Sequence, residues 1–240
     1  MRITDFDVLT FDCYGTLIDW ESGILAALAP WRKRAGVTLG DEALLTLFSE
    51  VESKIEAERP ALLYSDLLTA TLREMGGRSG HAATPAEAAA FGQSVKDWPA
   101  FPDSAEALSY LKQHYKLAIL SNVDRASFAH SARRLGQNFD LVVTAQDVGS
   151  YKPALAHFEV ALARLAAMGI PKQKVLHTAQ SLFHDHVPAK KMGLASFWID
   201  RRAGKTGTGA TKPPPEPVKP DWTAPSMAAM VEMHKREKAR

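Results

Sequence analysis

The stretch LTFDCYGTLIDW, Leu9–Trp20, decides how the chain is read. It runs from apolar, strand-like residues into an acid, Asp12, and then into a turn carrying Tyr14, Gly15 and Thr16. A continuous apolar strand is buried on both faces, as in a parallel sheet. Open α/β sheets bind their ligands at the carboxyl ends of such strands. An acid at that point is placed for a nucleophile, and the residue two places later bears on which electrophile it attacks.

Four more short β-rich runs follow: Lys116–Ser121 (KLAILS), Leu141–Thr144 (LVVT), Val175–Thr178 (VLHT) and Ser196–Asp200 (SFWID). Most are nearly unbroken apolar runs. Between them, Ser104–His114 and Ala154–Met168 repeat apolar residues at helical three- and four-residue spacing. Strands alternating with helices predict an α/β fold with a doubly wound, Rossmann-like parallel sheet.

The interval from Trp20 to Trp98 holds no good strand and is too long for a simple crossover. In Asp41–Glu58, Leu44, Leu47, Phe48, Val51 and Ile55 fall on one helical face, with the acids and Lys54 expected elsewhere. Thr84-Pro85-Ala86-Glu87 has the form of a capping box with proline at the first helical position. The expectation is a helical cap domain, 20–98, inserted into a Rossmann-like core domain, 1–19 and 99–240. Arg202–Pro225, rich in Gly, Thr, Pro and Lys, is expected to be a loop or extended segment rather than a functional low-complexity tract, and Ser226–Lys238 a closing helix.

Composition excludes several classes. The net charge of +2 gives no clustered basic footprint for nucleic acid, and no apolar run approaches the roughly 18 residues of a membrane helix. The opening MRITDFDVLTFD shows no charged-then-apolar leader, and a single cysteine excludes an internal disulfide framework. A cytoplasmic protein is expected. Cys13 itself reads as a small buried filler rather than a reactive thiol.

Polar residues stand at four strand ends: Asp12 with Thr16, Ser121-Asn122, Lys152 in SYKP, and Gln180, Ser181 and Asp185 in HTAQSLFHDH. With FDCYGTL, LSN, YKP and AQSLFHD in that order and a helical insertion after the first, the chain resembles the haloacid dehalogenase superfamily with a type-1 cap. The resemblance implies Asp12 as nucleophile, Lys152 as the cation beside it, and Asp185 as the acid that orients a water. It also implies a substrate-binding set, here Cys13, Tyr14, Thr16, Trp20, Ser121, Asn122, Gln180, Ser181 and His184. A carboxylate nucleophile splits one hard hydrolysis into two easier steps through an ester.

Most members of the superfamily are magnesium-dependent phosphatases with an acid two residues after the nucleophile. Here Tyr14 takes that place, and Gln180 stands where a magnesium-binding acid belongs. The resemblance therefore narrows to the type II 2-haloacid dehalogenases: displacement at C2 of a small carboxylate, with no metal and no cofactor. The chain departs from those enzymes at Ser49, where a cap arginine is usual, at Phe158, where a tyrosine is usual, and at Leu182, where an asparagine is usual. Without the cap arginine, the alternative is hydrolytic opening of a strained cyclic amino acid such as azetidine-2-carboxylate, whose ring ammonium is already protonated. A small-molecule phosphatase and a non-catalytic binding module are further alternatives. A homodimer is expected from the resemblance alone.

Weaker signals have plainer readings. His184-Asp185-His186 does not form a metal site, since residues two apart on a helix point away from each other. Trp20, Tyr64, Trp98 and Phe183 fit either a pocket wall or the core, with Trp20 the best placed for the wall. GKTGTGA, Gly204–Ala210, lacks the spacing and context of a phosphate loop.

Overall fold

Strand β1, Val8–Phe11, lies near the centre of a six-stranded sheet, covered on both faces: three of its four residues are apolar, and the fourth, Thr10, is buried with its hydroxyl bonded to His177. The computed structural model describes residues 1–239. After β1 come the helices α1 (Trp20–Ala35), α2 (Asp41–Glu58), α3 (Tyr64–Arg78) and α4 (Pro85–Gly92), then α5 (Ser104–Leu111). Strand β2 (Lys116–Ser121), α6 (Arg125–Leu135), β3 (Leu141–Thr144), α7 (Ala145–Val148) and α8 (Ala156–Ala167) follow. The chain continues through β4 (Val175–Ala179), a π-helical turn (Leu182–His186), α9 (Val187–Lys191), β5 (Ala195–Ile199), β6 (Trp222–Ala224) and α10 (Met227–Lys238).

The strands are all parallel, in the order β3-β2-β1-β4-β5-β6. Side chains alternate between two apolar clusters, as the period of a strand requires. Val8, Ala118 and Leu120 meet Phe158, Ala161 and Leu165 of α8 on one face. Leu9, Leu117 and Ile119 meet Leu108 of α5, Phe128 of α6 and Met230 of α10 on the other. The direction of winding reverses at β1, which has β2 on one side and β4 on the other, and such a switch point is where a ligand crevice opens.

The helices α1–α4 stand over that crevice. Thr84 and Glu87 form the expected capping box. Trp20, Phe48 and Phe91 meet edge-to-face, with ring centroids 6.1 Å apart at both contacts. Their apolar side chains join the same cluster as Leu9 and Phe11 of the sheet. The two passages between sheet and helices run side by side: Asp19 N–H donates to Pro99 O at 2.8 Å and Phe101 N–H to Leu17 O at 3.0 Å.

The 202–225 segment, read as loop or extended chain, supplies the sixth strand at Trp222–Ala224, with Trp222 stacked on Phe197 and edge-on to Phe6. One expectation is corrected. The acids of α2 are not all off its buried face: Glu52 and Glu56 are buried beside Phe48 and Ile55. No helix among the described residues is long and apolar enough to cross a membrane.

Candidate active site

The chain beyond β1 explains how Asp12 comes to be displayed. Asp12 N–H still donates to Thr178 O of β4 at 3.1 Å, so its backbone is held by the sheet. The next residues fold into a tight turn: the amides of Leu17 and Ile18 both donate to Cys13 O. Gly15 sits there at φ +88°, a conformation L side chains rarely adopt, and a Cβ would lie 3.0 Å from the Trp20 indole nitrogen. The turn brings Thr16 back, so that its hydroxyl donates to Asp12 Oδ2 at 2.8 Å. The same hydroxyl accepts from Gln180 N–H at 2.9 Å, tying the β1 turn to the chain after β4.

Lys152 arrives from the loop before α8 and is only 1% exposed. Its ammonium has three hydrogens and spends all of them, on Asp12 Oδ1 (2.9 Å), Asp185 Oδ1 (2.7 Å) and Leu120 O (2.9 Å). Burial disfavours this charge, but the two carboxylates outweigh burial and hold the lysine above its ordinary pKa. Burial also works against ionisation of Asp185; Lys152 and His177 prevail and hold that carboxyl well below the usual range. For Asp12 the balance is opposite. Burial, with the charge of Asp185 beside it, pushes its carboxyl up against the pull of Lys152 and Thr16.

Asp185 is set by a chain of buried groups. His177 of β4 meets Asp185 Oδ1 through Nε2 at 3.1 Å and Thr10 of β1 through Nδ1 at 2.9 Å. Phe158 packs edge-on to the His177 ring, 5.0 Å between centroids. Oδ2 of Asp185 has no partner. Its lone pairs are the ones Asp185 has left for a further hydrogen bond.

Asp12, Tyr14, Trp20, Asn122, Lys152, Gln180, Ser181, His184 and Asp185 all line one cavity of about 40 Å3, room for a ligand of a few heavy atoms. The structure thus brings together nine of the residues singled out in the sequence. Thr16 and Ser121 lie beneath the wall, and the Ser121 hydroxyl has no partner. Cys13 is not in the wall. Its side chain is fully buried in the apolar core, where burial raises the thiol far above its ordinary pKa. Of the aromatic candidates Tyr64 lines the cavity, Trp98 packs beneath it against Tyr14 and Tyr64, and Phe183 lies outside it. Ser49 faces a different groove, with Ser53 and Lys54.

Four wall residues had no reading as site residues: Glu52, Glu56, Val123 and Thr211. Glu52 and Glu56 continue the buried stripe of α2 at i+4 and i+8 from Phe48, a spacing that could have flagged them. Thr211 comes from the Gly- and Pro-rich 202–225 segment and donates to Gln180 Oε1 at 3.1 Å. No sequence pattern announces that contact.

The Tyr14 hydroxyl bonds Ser131 Oγ at 2.8 Å, and burial raises its pKa well above 10, so it is a far weaker acid than a carboxyl in that place would be. A divalent cation does not fit. The Lys152 ammonium occupies the space between Asp12 and Asp185, and Gln180 is neutral with its carbonyl engaged by Thr211. No group of three His, Cys, Asp or Glu that could hold a metal occurs among the described residues. What the arrangement offers is an oriented carboxylate, a fixed counter-charge and a second carboxylate with a free oxygen.

Comparison with known proteins gives the family and the fold. A family model described as haloacid dehalogenase-like hydrolase matches residues 6–178. A Xenopus laevis protein, haloacid dehalogenase-like hydrolase domain-containing protein 3, is 30% identical over 109 residues, 44% of this chain and 43% of that protein. The matched stretch thus spans less than half the length of that relative. Among solved structures, an L-2-haloacid dehalogenase aligns over 98% of this chain and 100% of its own, with a TM-score of 0.76 and 24% identity. The L-2-haloacid dehalogenase from Xanthobacter autotrophicus with chloropropionic acid covalently bound aligns over 96% of this chain and 98% of its own, with a TM-score of 0.76 and 18% identity. At these identities the structural likeness concerns the fold.

Proposed function

The chain belongs to the haloacid dehalogenase-like hydrolases, and on that premise we propose that it hydrolyses a bond at C2 of a small 2-substituted carboxylate through an ester on Asp12. In the first step a carboxylate oxygen of Asp12 attacks C2, and the leaving group departs with its bonding electrons. Lys152 keeps Asp12 ionised and aligned from 2.9 Å. In the second step a water at the free Oδ2 of Asp185 attacks the ester carbonyl carbon, with Asp185 accepting its proton. The helices α1–α4 serve as a cap, 20–98, over the core formed by 1–19 and 99–240, with Trp20, Glu52, Glu56 and Tyr64 closing the pocket from that side.

The observation that carries this reading is the trio itself: one buried ammonium bonded to both Asp12 and Asp185, with Tyr14 and Gln180 where phosphoryl transfer needs acids. Such a site favours a leaving group that needs no proton from the protein. Halide is one; it is the chemistry named for the L-2-haloacid dehalogenases of like fold. A ring nitrogen that is already protonated is the other.

The test is a single turnover in H₂¹⁸O with enzyme in excess, using L-2-chloropropionate and L-azetidine-2-carboxylate in turn. The label is expected on Asp12 and not in the first product, with activity unchanged by EDTA. Label in the first product would overturn the ester.

A further inference from the structure

We propose that Glu52 and Glu56 form a subsite for a protonated amine, so that the substrate is a small carboxylate whose leaving atom at C2 is a strained ring nitrogen. This rests on the C2 displacement argued above and chooses between its two leaving groups. The two acids lie four apart on α2 and line the same cavity as Asp12. Each is met by one neutral donor: Tyr64 OH donates to Glu52 Oε1 at 2.6 Å, and Asn122 Nδ2 to Glu56 Oε1 at 3.2 Å. Neither reaches a lysine or an arginine among the described residues. Lys152, the one cation in the wall, has no hydrogen left to give, and His184, 3.9 Å from Glu56, is held neutral by burial. Two carboxyls buried without a counter-charge are costly unless a ligand supplies one.

A second observation points the same way. Tyr14, Trp20 and Tyr64 line this cavity, and aromatic faces attract cations. Asp185, 1% exposed at its side chain, lines the same cavity and keeps one carboxylate oxygen unpartnered. A haloacid brings only negative charge to this set of four carboxyl groups. A cyclic amino acid brings both signs.

The chemistry balances. Attack of Asp12 on C2 sends the C2–N electron pair to nitrogen, turning the ring ammonium into a neutral primary amine as the strained ring opens. Hydrolysis of the ester returns Asp12 as carboxylate and frees a 2-hydroxy acid and one proton. That proton matches the one the new amine takes up.

The experiment measures binding without turnover. In an Asp12→Asn protein, calorimetry compares L-azetidine-2-carboxylate with cyclobutanecarboxylate, which has the same ring size and carboxylate but no charge on the ring. The amine is expected to bind at least tenfold more tightly, and Glu52→Gln with Glu56→Gln in that background should abolish the preference. Equal affinities, no binding of either, or a preference that survives both glutamines would overturn the subsite. Should the glutamine variants fail to fold, wild-type protein gives a second reading: n-propylammonium should raise the melting temperature and propionate should not, and absence of that difference overturns the proposal. Amine-selective binding without ¹⁸O on Asp12 would leave the subsite standing and remove the ester, so the two claims fail separately.

Discussion

The two halves of the pocket treat charge in opposite ways. On the strand-end side every ionised group has its partner within the protein: Lys152 bridges Asp12 and Asp185, and Thr16 and His177 complete their shells. On the helical side Glu52 and Glu56 are as deeply buried, yet only a phenol and an amide meet them. A prepaid ion network is what chemistry needs, since nothing must reorganise when the nucleophile attacks. An unpaid pair of acids is what selectivity needs, because only a ligand of the right charge completes it. Mutations on the two sides should therefore fail in different ways.

The largest effect belongs to Asp12. Replacing it with asparagine should lower turnover by about 10⁴-fold or more, with circular dichroism unchanged, because an amide oxygen is a poor nucleophile at the same position. Near-wild-type turnover would break the assignment of chemistry to the strand-end side. Next is Lys152→Met, which leaves two buried carboxylates facing each other. Denaturant unfolding at neutral pH should show a loss of roughly 3–5 kcal/mol, and activity should vanish with it. The stability loss should shrink as pH falls and the carboxylates protonate.

The pH profile reads the same network without mutation. Burial and the charge of Asp185 raise the Asp12 carboxyl from its ordinary 3.8, so the acid limb of activity should lie above the normal carboxylate range, activity rising as pH rises through it. Lys152 is held above its ordinary 10.5 and should give no alkaline limb below about pH 10. An acid limb at or below 3.8 would contradict the burial argument.

How far the sequence carried depended on what each residue reports about its own surroundings. KLAILS and LVVT are strands over the residues first read from them, because burial on both faces leaves an unbroken apolar run. Asp41–Glu58 likewise matches its helix end to end. The polar strand ends were legible because a strand of known direction fixes where its last side chain emerges. Trp222–Ala224 was not, since three residues in a Gly- and Pro-rich stretch carry no period, and the strand forms only because β5 offers an edge. Glu52 and Glu56 were read as exposed because acids on helices usually are. His177 sits inside a strand, where one polar residue among apolar ones reads as an exception. Only the fold brings it to Asp185.

The smallest effect tests the helical side alone. Burial pushes the Glu52 carboxyl up to about 7 from an ordinary 4.5, against the opposing bond from Tyr64. The folded protein therefore binds a proton here that the unfolded chain has released between those two values. Stability from this site is intact below about pH 4.5 and is lost as pH rises through 7, amounting to about 3 kcal/mol by pH 8. Tyr64 and Tyr151 are raised above 10 and Lys152 stays charged, while His184, lowered to about 4 on folding, adds stability as pH rises to 6.5 in wild type and variant alike, so the difference between the two proteins isolates Glu52. Burial, with the charge of Glu52 beside it, also raises the Glu56 carboxyl well above its ordinary 4.5, and this group is present in both proteins. Glu52→Gln removes the ionisable group but keeps its size and its acceptor for Tyr64. Unfolding measured at pH 5 and pH 8 should show wild type losing stability relative to the variant as pH rises. n-Propylammonium should return that loss to wild type at pH 8 and do less for the variant, which keeps only Glu56, because the cation supplies the counter-charge that the helical side lacks. Parallel stability curves for the two proteins would mean that Glu52 is already paired in the empty pocket, and the contrast between the two sides would disappear.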